Sequence, residues 1–252
     1  MNRRIGSGSA TAGAIKRFAR SCGADLVGIA SVDRFAPYPE DRRPERLLPD
    51  AKSVIVVGVR VLRDTIRTNL LLSALHHITL NLYHNQIAYD IGRFLDDRGH
   101  GAVVVPHRIG NMDPDLRSSP DYMNTYPRLF VISTRHAALA AGLGILGKSR
   151  LLLTPRFGPH QRLAAVVTNL ALPPDPLLSD EEAARLCPPA CEACIHSCPG
   201  EAITREGIDW AKCNTVIRPH NGQYGYSACS ECMSACPAGK RSTVEKRQPR
   251  AR

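Results

Sequence analysis

The sequence predicts a mixed α/β domain followed by a small cysteine-rich module. Three observations carry this. Short β-branched runs alternate with helical periodicity through the first two thirds of the chain. Eight of the nine cysteines fall between Cys187 and Cys236. A Pro-rich stretch, residues 170–176, separates the two regions. The expected layout is an α/β domain over 1–177, a cysteine module over 178–239 and a basic, solvated tail over 240–252.

Each element has a local reason. Residues 10–22 read as a helix stopped by Gly23, and 25–30 as a strand. A Pro- and Arg-rich loop runs from Pro37 to Pro49. Residues 53–59 form an uncharged β-branched run, the signature of a buried strand. Leu71, Leu75, Ile78, Leu82, Ile87, Ile91 and Phe94 recur at roughly helical spacing and imply one long helix, ended by Gly99 and Gly101. Residues 102–106 are a strand. Residues 107–127 are polar and long for a loop, a length often tied to function. Ser133 starts a helix through Ala141, closed by Gly142 and Gly144. Residues 151–153 and 163–167 are strand candidates. Ser179 and Glu182 form a capping-box pattern that starts a short helix leading to Cys187.

The cysteine spacing carries the chemistry. The first run reads C-x3-C-x2-C-x3-C-P from Cys187 to Pro199; the second reads C-x2-C-x3-C-P from Cys229 to Pro237. Cys213 stands between them. Runs of this kind hold iron–sulfur cubes, and the last Cys of each run ligates the other cluster. Eight ligands then make two 4Fe–4S clusters. Cys187, Cys191, Cys194 and Cys236 hold one; Cys198, Cys213, Cys229 and Cys232 hold the other. Zinc knuckles and disulfides are the competing readings. Zinc leaves the two Cys-Pro endings unexplained, and disulfides require an oxidising compartment. Cys22, near the end of the first helix, reads as a small buried hydrophobe.

Composition narrows the classes. No apolar run reaches the ~18 residues of a membrane helix. Arg3-Arg4 is followed by no apolar core, so a signal peptide is not expected and the cytoplasm is. The net charge of +10 would attract polyanions such as RNA, or an acidic electron donor. Residues 142–149 formally match a Walker A string, G-x4-G-K-S. Its expected context, a helix before and a strand after, is the reverse of a P-loop.

The stretch AGLGILGKS from Ala141 to Ser149, with both cysteine runs downstream, resembles the epoxyqueuosine reductases and the corrinoid-dependent reductive dehalogenases. Residues 25–30, 48–56, Phe157-Gly158 and Thr168-Asn169 follow in the same family's order. The resemblance implies a nitroreductase-like α+β domain that holds cobalamin, beside a ferredoxin-like module with two 4Fe–4S clusters. It implies that a low-potential donor such as a flavodoxin or ferredoxin feeds electrons through the clusters to the corrinoid. That centre would then remove a group reductively from a small molecule or a modified nucleoside. Corrinoid contacts carried over by position are Gly142, Gly144, Gly147, Lys148, Leu152, Leu163, Thr215 and Ser230.

Two departures stand out. The epoxyqueuosine enzymes carry an Asp proton donor in a stretch that here reads Phe130 to His136, without a carboxylate. Ile145 replaces the family's Trp. Substitute acids are Tyr122, Tyr126, His107 and His136, since Tyr and His can donate protons. His76, His77 and His84 on the long helix read as structural or solvated. Two other classes remain: a two-cluster electron carrier without corrinoid, and an RNA-binding protein using the basic tail.

Overall fold

Continuous β-branched runs fold as strands covered on both faces. The computed structural model describes residues 10–106, 132–224 and 229–240. β1 (Leu26–Ser31), β2 (Ser53–Arg60), β3 (Ala102–Val105) and β6 (Gln161–Thr168) form one sheet in the order β1-β2-β6-β3. Every neighbouring pair is antiparallel, with Ile29 opposite Ile55, Val56 opposite Ala165 and Val104 opposite Val166. Helices and strands thus alternate along the chain as expected, yet the sheet is antiparallel throughout. The late strand β6 enters between β2 and β3.

The period-two alternation of β2 divides the core. Ile55 and Val57 pack with Ile29, Val166 and two helices, α1 (Ala12–Cys22) and α3 (Leu70–Asp96). Val54 and Val56 pack on the other face with Phe35, Val167 and α4 (Thr134–Ala140). Each such side chain, fully buried, stabilises the fold by roughly 1.5–3 kcal/mol. Cys22 is buried in the first of these cores, as a small hydrophobe would be. The first helix is bounded as its sequence suggests: Thr11 Oγ1 accepts the Ala14 N–H at 3.2 Å, and Gly23 closes it at φ 110°.

The long helix α3 has two unlike halves. Its C-terminal half buries Ile87, Ile91, Phe94 and Leu95. Its N-terminal half buries Ser73, His77, Asn81 and His84, and leaves Leu71, Leu75 and Leu82 about half exposed. The apolar periodicity therefore finds the helix but not its inner face. A short helix the sequence reading lacked, α2 (Arg63–Thr68), precedes it. The Pro-rich loop contains two 3-10 turns, Glu40–Arg42 and Pro44–Arg46.

Helix α4 ends in paired backbone bonds, Leu143 N–H to Ala138 O and Gly142 N–H to Leu139 O, both 3.0 Å. Gly142 takes φ 68°, the left-handed residue of this closure. Ser133 holds the N-cap position, but its hydroxyl makes no capping bond. A small hairpin follows, β4 (Ile145–Leu146) against β5 (Leu152–Leu153). A helix therefore precedes the Gly142–Ser149 stretch and a strand follows, the reverse of a P-loop. The segment before the cysteine module is pinned along edge strand β1. The Asp175 N–H donates to Ile29 O at 2.9 Å, and Asp175 Oδ2 accepts the Ile29 N–H at 2.9 Å. Lys16 pairs with the same carboxylate.

Candidate metal centre

Helices, most of them short, deliver the thiols. Helix α5 (Asp180–Leu186) starts in a complete capping box: Ser179 Oγ accepts the Glu182 N–H at 3.3 Å, and Glu182 Oε2 accepts the Ser179 N–H at 2.8 Å. It ends with Cys187 as its C-cap. Cys191 follows a tight turn in which its N–H donates to Pro188 O at 2.9 Å, and α6 (Ala193–His196) carries Cys194. Asp209 Oδ1 accepts the N–H groups of Ala211 and Lys212, opening α7 (Trp210–Tyr224) and placing Cys213 in its first turn. α8 (Glu231–Ala235) carries Cys232 and ends at Cys236, and α9 (Pro237–Lys240) follows at once.

The thiols fall into two neighbourhoods. Cys187, Cys191, Cys194 and Cys236 line one pocket together with Gly147, Lys148, Ser149, Leu153, Leu186 and Pro237. Burial pushes the Cys194 thiol up, and Cys187, Cys236 and Cys191 push it further. Cys236 is raised by burial and then by Cys187 and Cys191, against the opposing N–H groups of Ala238 and Gly239. In the other neighbourhood, burial with Cys229 and Cys198 pushes Cys213 up to about 11. Cys232 reaches about 12, through burial and then Cys229, Cys213, Cys194 and Cys198. Cys194 among these causes shows that the two neighbourhoods adjoin.

Crowded thiols of this kind oppose one another's ionisation, a cost that bound metal removes by taking thiolate. No disulfide is formed among the described residues, which include all nine cysteines. Nor do three His, Cys, Asp or Glu side chains among them close on a single ion. The first four thiols wall a pocket, four sulfur donors of the kind an iron–sulfur cube takes. The N–H of Ala202 reaches Cys198 Sγ at 3.3 Å, the kind of backbone donor that supports a thiolate.

Each neighbourhood is anchored to the α/β layers differently. Lys148 Nζ donates to Pro188 O at 2.9 Å, tying the Gly147–Ser149 turn to the Cys187–Cys191 loop. Arg135 Nη1 donates to Arg150 O at 2.6 Å, and its guanidinium lies 5.6 Å from the Trp210 ring. On the other side α2 supplies arginines: Arg67 Nη2 donates to Ser234 O at 3.0 Å, and Arg63 Nη2 donates to Gly239 O. Met233 is buried in the core beside α3. Gly158, at φ 56°, lies so close to α9 that a Cβ there would be 2.4 Å from the Gly239 nitrogen.

The other sequence-derived candidates scatter. Gly147 and Lys148 belong to the thiol pocket. At Gly142 and Gly144 the room a side chain would need is filled by the chain's own backbone, Pro176 O and Leu153 O. Leu152 and Leu163 are buried in the core facing α4, and the Leu152 carbonyl accepts from Gln161 Nε2 at 2.6 Å. Thr215 is exposed on α7, its hydroxyl bonded to Lys212 O at 2.8 Å. Ser230 is buried against α3. The His136 ring lies tilted 5.2 Å from Tyr38; burial, then Arg135 and Arg150, lower its pKa and so favour the neutral imidazole. His107, Tyr122 and Tyr126 lie outside the described residues.

Sequence reasoning missed the arginines of α2; the α3 histidines, read as structural or solvated, are structural at His77 and His84. His77 and His84 are 1% and 0% exposed, and the His76 ring accepts the Leu62 N–H at 3.0 Å. The available signal was the polar repeat Ser73, His77, Asn81, His84, itself at helical spacing. Nothing in the sequence marks Arg63 or Arg67.

The layered antiparallel sheet with thiol turns at one end defines the class: an α/β fold shared with reductive dehalogenases. A solved reductive dehalogenase, described as carrying out B12-dependent dehalogenation, superposes with a TM-score of 0.67 at 21% identity, over 95% of this chain and 34% of that one. The chain is homologous to reductive dehalogenases and epoxyqueuosine reductases, all of them reductases. It is 32% identical to the tetrachloroethene reductive dehalogenase of Desulfitobacterium hafniense over 214 residues, 76% of this chain and 34% of that enzyme. It is 29% identical to the epoxyqueuosine reductase of Bacillus anthracis over 123 residues, 43% of this chain and 30% of that enzyme. The chain thus spans about a third of the length of these relatives. No protein-family profile matches it.

Proposed function

We propose that this chain is the iron–sulfur core of an oxidoreductase, with one 4Fe–4S cluster on Cys187, Cys191, Cys194 and Cys236 and another on Cys198, Cys213, Cys229 and Cys232. The observation that carries it is the lining of the thiol pocket, where the last cysteine of the second run joins the first three of the first run. That crossover is what the spacing of a two-cluster protein requires. The adjoining position of Cys194 and Cys232 suits electron passage from one cluster to the other. The division into an α/β domain over 1–177 and a cluster module over 178–239 belongs to the same proposal.

The electrons go, in this reading, to a corrinoid that supports reductive removal of a group from an organic substrate, as the B12-dependent relative suggests. Bound, such a group supplies a strongly reducing centre. For the corrin itself the carried-over positions match only in part. Gly147, Lys148 and Ser230 border the thiol turns, while Leu152, Leu163 and Thr215 do not share a pocket with them. What this chain's residues do is hold and space the clusters, and exclude water behind Met233 and Leu153.

The second reading, an electron carrier without corrinoid, is favoured by that partial match and by the absence of a carboxylate from Phe130 to His136. Among the described residues no helix is long and apolar enough to cross a membrane. The test is anaerobic reconstitution with iron and sulfide, then reduction by dithionite. Two interacting 4Fe–4S signals support the proposal; a zinc-loaded chain that takes up no iron contradicts it.

A further inference from the structure

A line of buried polar residues joins the sheet to the second thiol turn through α3. His77, on the inner face of α3, is 1% exposed and stands between β6 and the second thiol turn. The Arg162 Nε–H donates to His77 Nδ1 at 3.2 Å. That bond fixes Nδ1 as the acceptor, so Nε2 carries the hydrogen and faces Ser230 Oγ at 3.4 Å. Ser230, 6% exposed, directly follows Cys229. Its carbonyl accepts the Ser234 N–H at 2.8 Å, which starts the helix bearing Cys232. A single line of contacts thus runs from the sheet, through the long helix, to the turn between two thiols.

Two consequences follow from the chemistry. A buried imidazole engaged at both nitrogens has one orientation, and it gives the Cys229–Cys232 turn one seat. The line also begins in a fixed cation. Reducing a cluster adds negative charge in a poorly solvated place, so a nearby guanidinium and oriented N–H donors favour the reduced form. We propose that Arg162, His77 and Ser230 are positioning residues for the cluster on Cys198, Cys213, Cys229 and Cys232, seating its Cys229 turn and raising its reduction potential. This rests on the two-cluster reading above. The first thiol set has no part in this line; its own cation is Lys148, in the pocket wall.

The test uses the full chain reconstituted anaerobically with iron and sulfide and titrated with dithionite by electron paramagnetic resonance. Arg162→Gln, which removes charge but keeps an N–H donor, is expected to keep all its iron. One of its two midpoints moves to lower potential and the other stays. Lys148→Met is expected to move the other one. His77→Phe broadens the signal that Arg162→Gln shifts, and His77→Gln, able to accept and donate, restores it. Arg162→Gln and His77→Phe chains with wild-type iron, midpoints and line shapes would overturn the inference while leaving two clusters in place. A wild-type chain that assembles no clusters would instead overturn the two-cluster reading, and the inference with it.

Discussion

The two thiol neighbourhoods are built from similar turns but held by unlike means. The first opens onto a pocket and meets the α/β layers through the Gly147–Ser149 turn, with Lys148 as its cation. The second is pressed against the sheet and the polar half of α3, with Met233 in the core and Arg67 bonded to Ser234 O. Burial, then the neighbouring thiols, push the Cys232 thiol up to about 12. The difference teaches that similar turns are seated by different contacts, a lysine bond from a glycine-rich turn in one set and a buried methionine with an arginine bond in the other.

The largest expected effect breaks this comparison outright. Cys194→Ala should cut bound iron from about eight to about four per chain, because the second set keeps its four ligands. Cys22→Ala, a core change outside both sets, should leave iron unchanged. Iron and sulfide analysis of both variants checks this. An Ala at position 194 that removes all iron would mean the sets are not independent.

Next comes the seam between the layers and the second turn. At Gly158 the φ of 56° and the 2.4 Å approach to Gly239 leave no room for a Cβ. Gly158→Ala should destabilise the chain by about 1–3 kcal/mol, read as a lower denaturation midpoint. The first cluster's signal should broaden before the second cluster's does, because the displaced Ala238 and Gly239 N–H groups support Cys236.

A smaller effect comes from buried histidines. Burial, then Arg162, lower His84 to about 4, and burial is the main cause bringing His160 to about 4. The unfolded chain therefore binds these protons first as pH falls. Their contribution to stability is complete above pH 6.5 and is lost as pH falls from 6.5 toward about 4. Urea denaturation at neutral pH and at about pH 5 measures it. His84→Gln should flatten that slope; an unchanged slope contradicts the assignment. Smallest of all is Ser179→Ala, which removes the capping box of α5. It should cost about 1 kcal/mol, read from the thermal midpoint, without altering the second cluster.

Legibility in the sequence followed how local the cause was. The capping box at Ser179, the left-handed closures at Gly23 and Gly142, and the β-branched run of β2 depend on a few adjacent residues, and each lies where the sequence put it. A motif with fixed spacing points to a long-range contact, and Cys236 lines one pocket with Cys187, Cys191 and Cys194. The inner face of α3 was not legible. Its leucines satisfy the same periodicity as its polar residues, and the face that turns inward meets partners distant in the chain, such as Arg162 and Ser230, 85 and 153 residues from His77. The antiparallel sheet was likewise hidden, since alternation of elements does not say where β6 inserts. Arg63 and Arg67 left no trace, because an arginine reaching a distant carbonyl looks like any surface arginine.

The most direct test is metal analysis after anaerobic reconstitution with iron, sulfide and hydroxocobalamin. The account predicts about eight irons per chain and, on the corrinoid reading, about one cobalt. Eight irons without cobalt would leave the clusters standing and contradict the corrinoid-dependent reductase, in favour of the electron carrier.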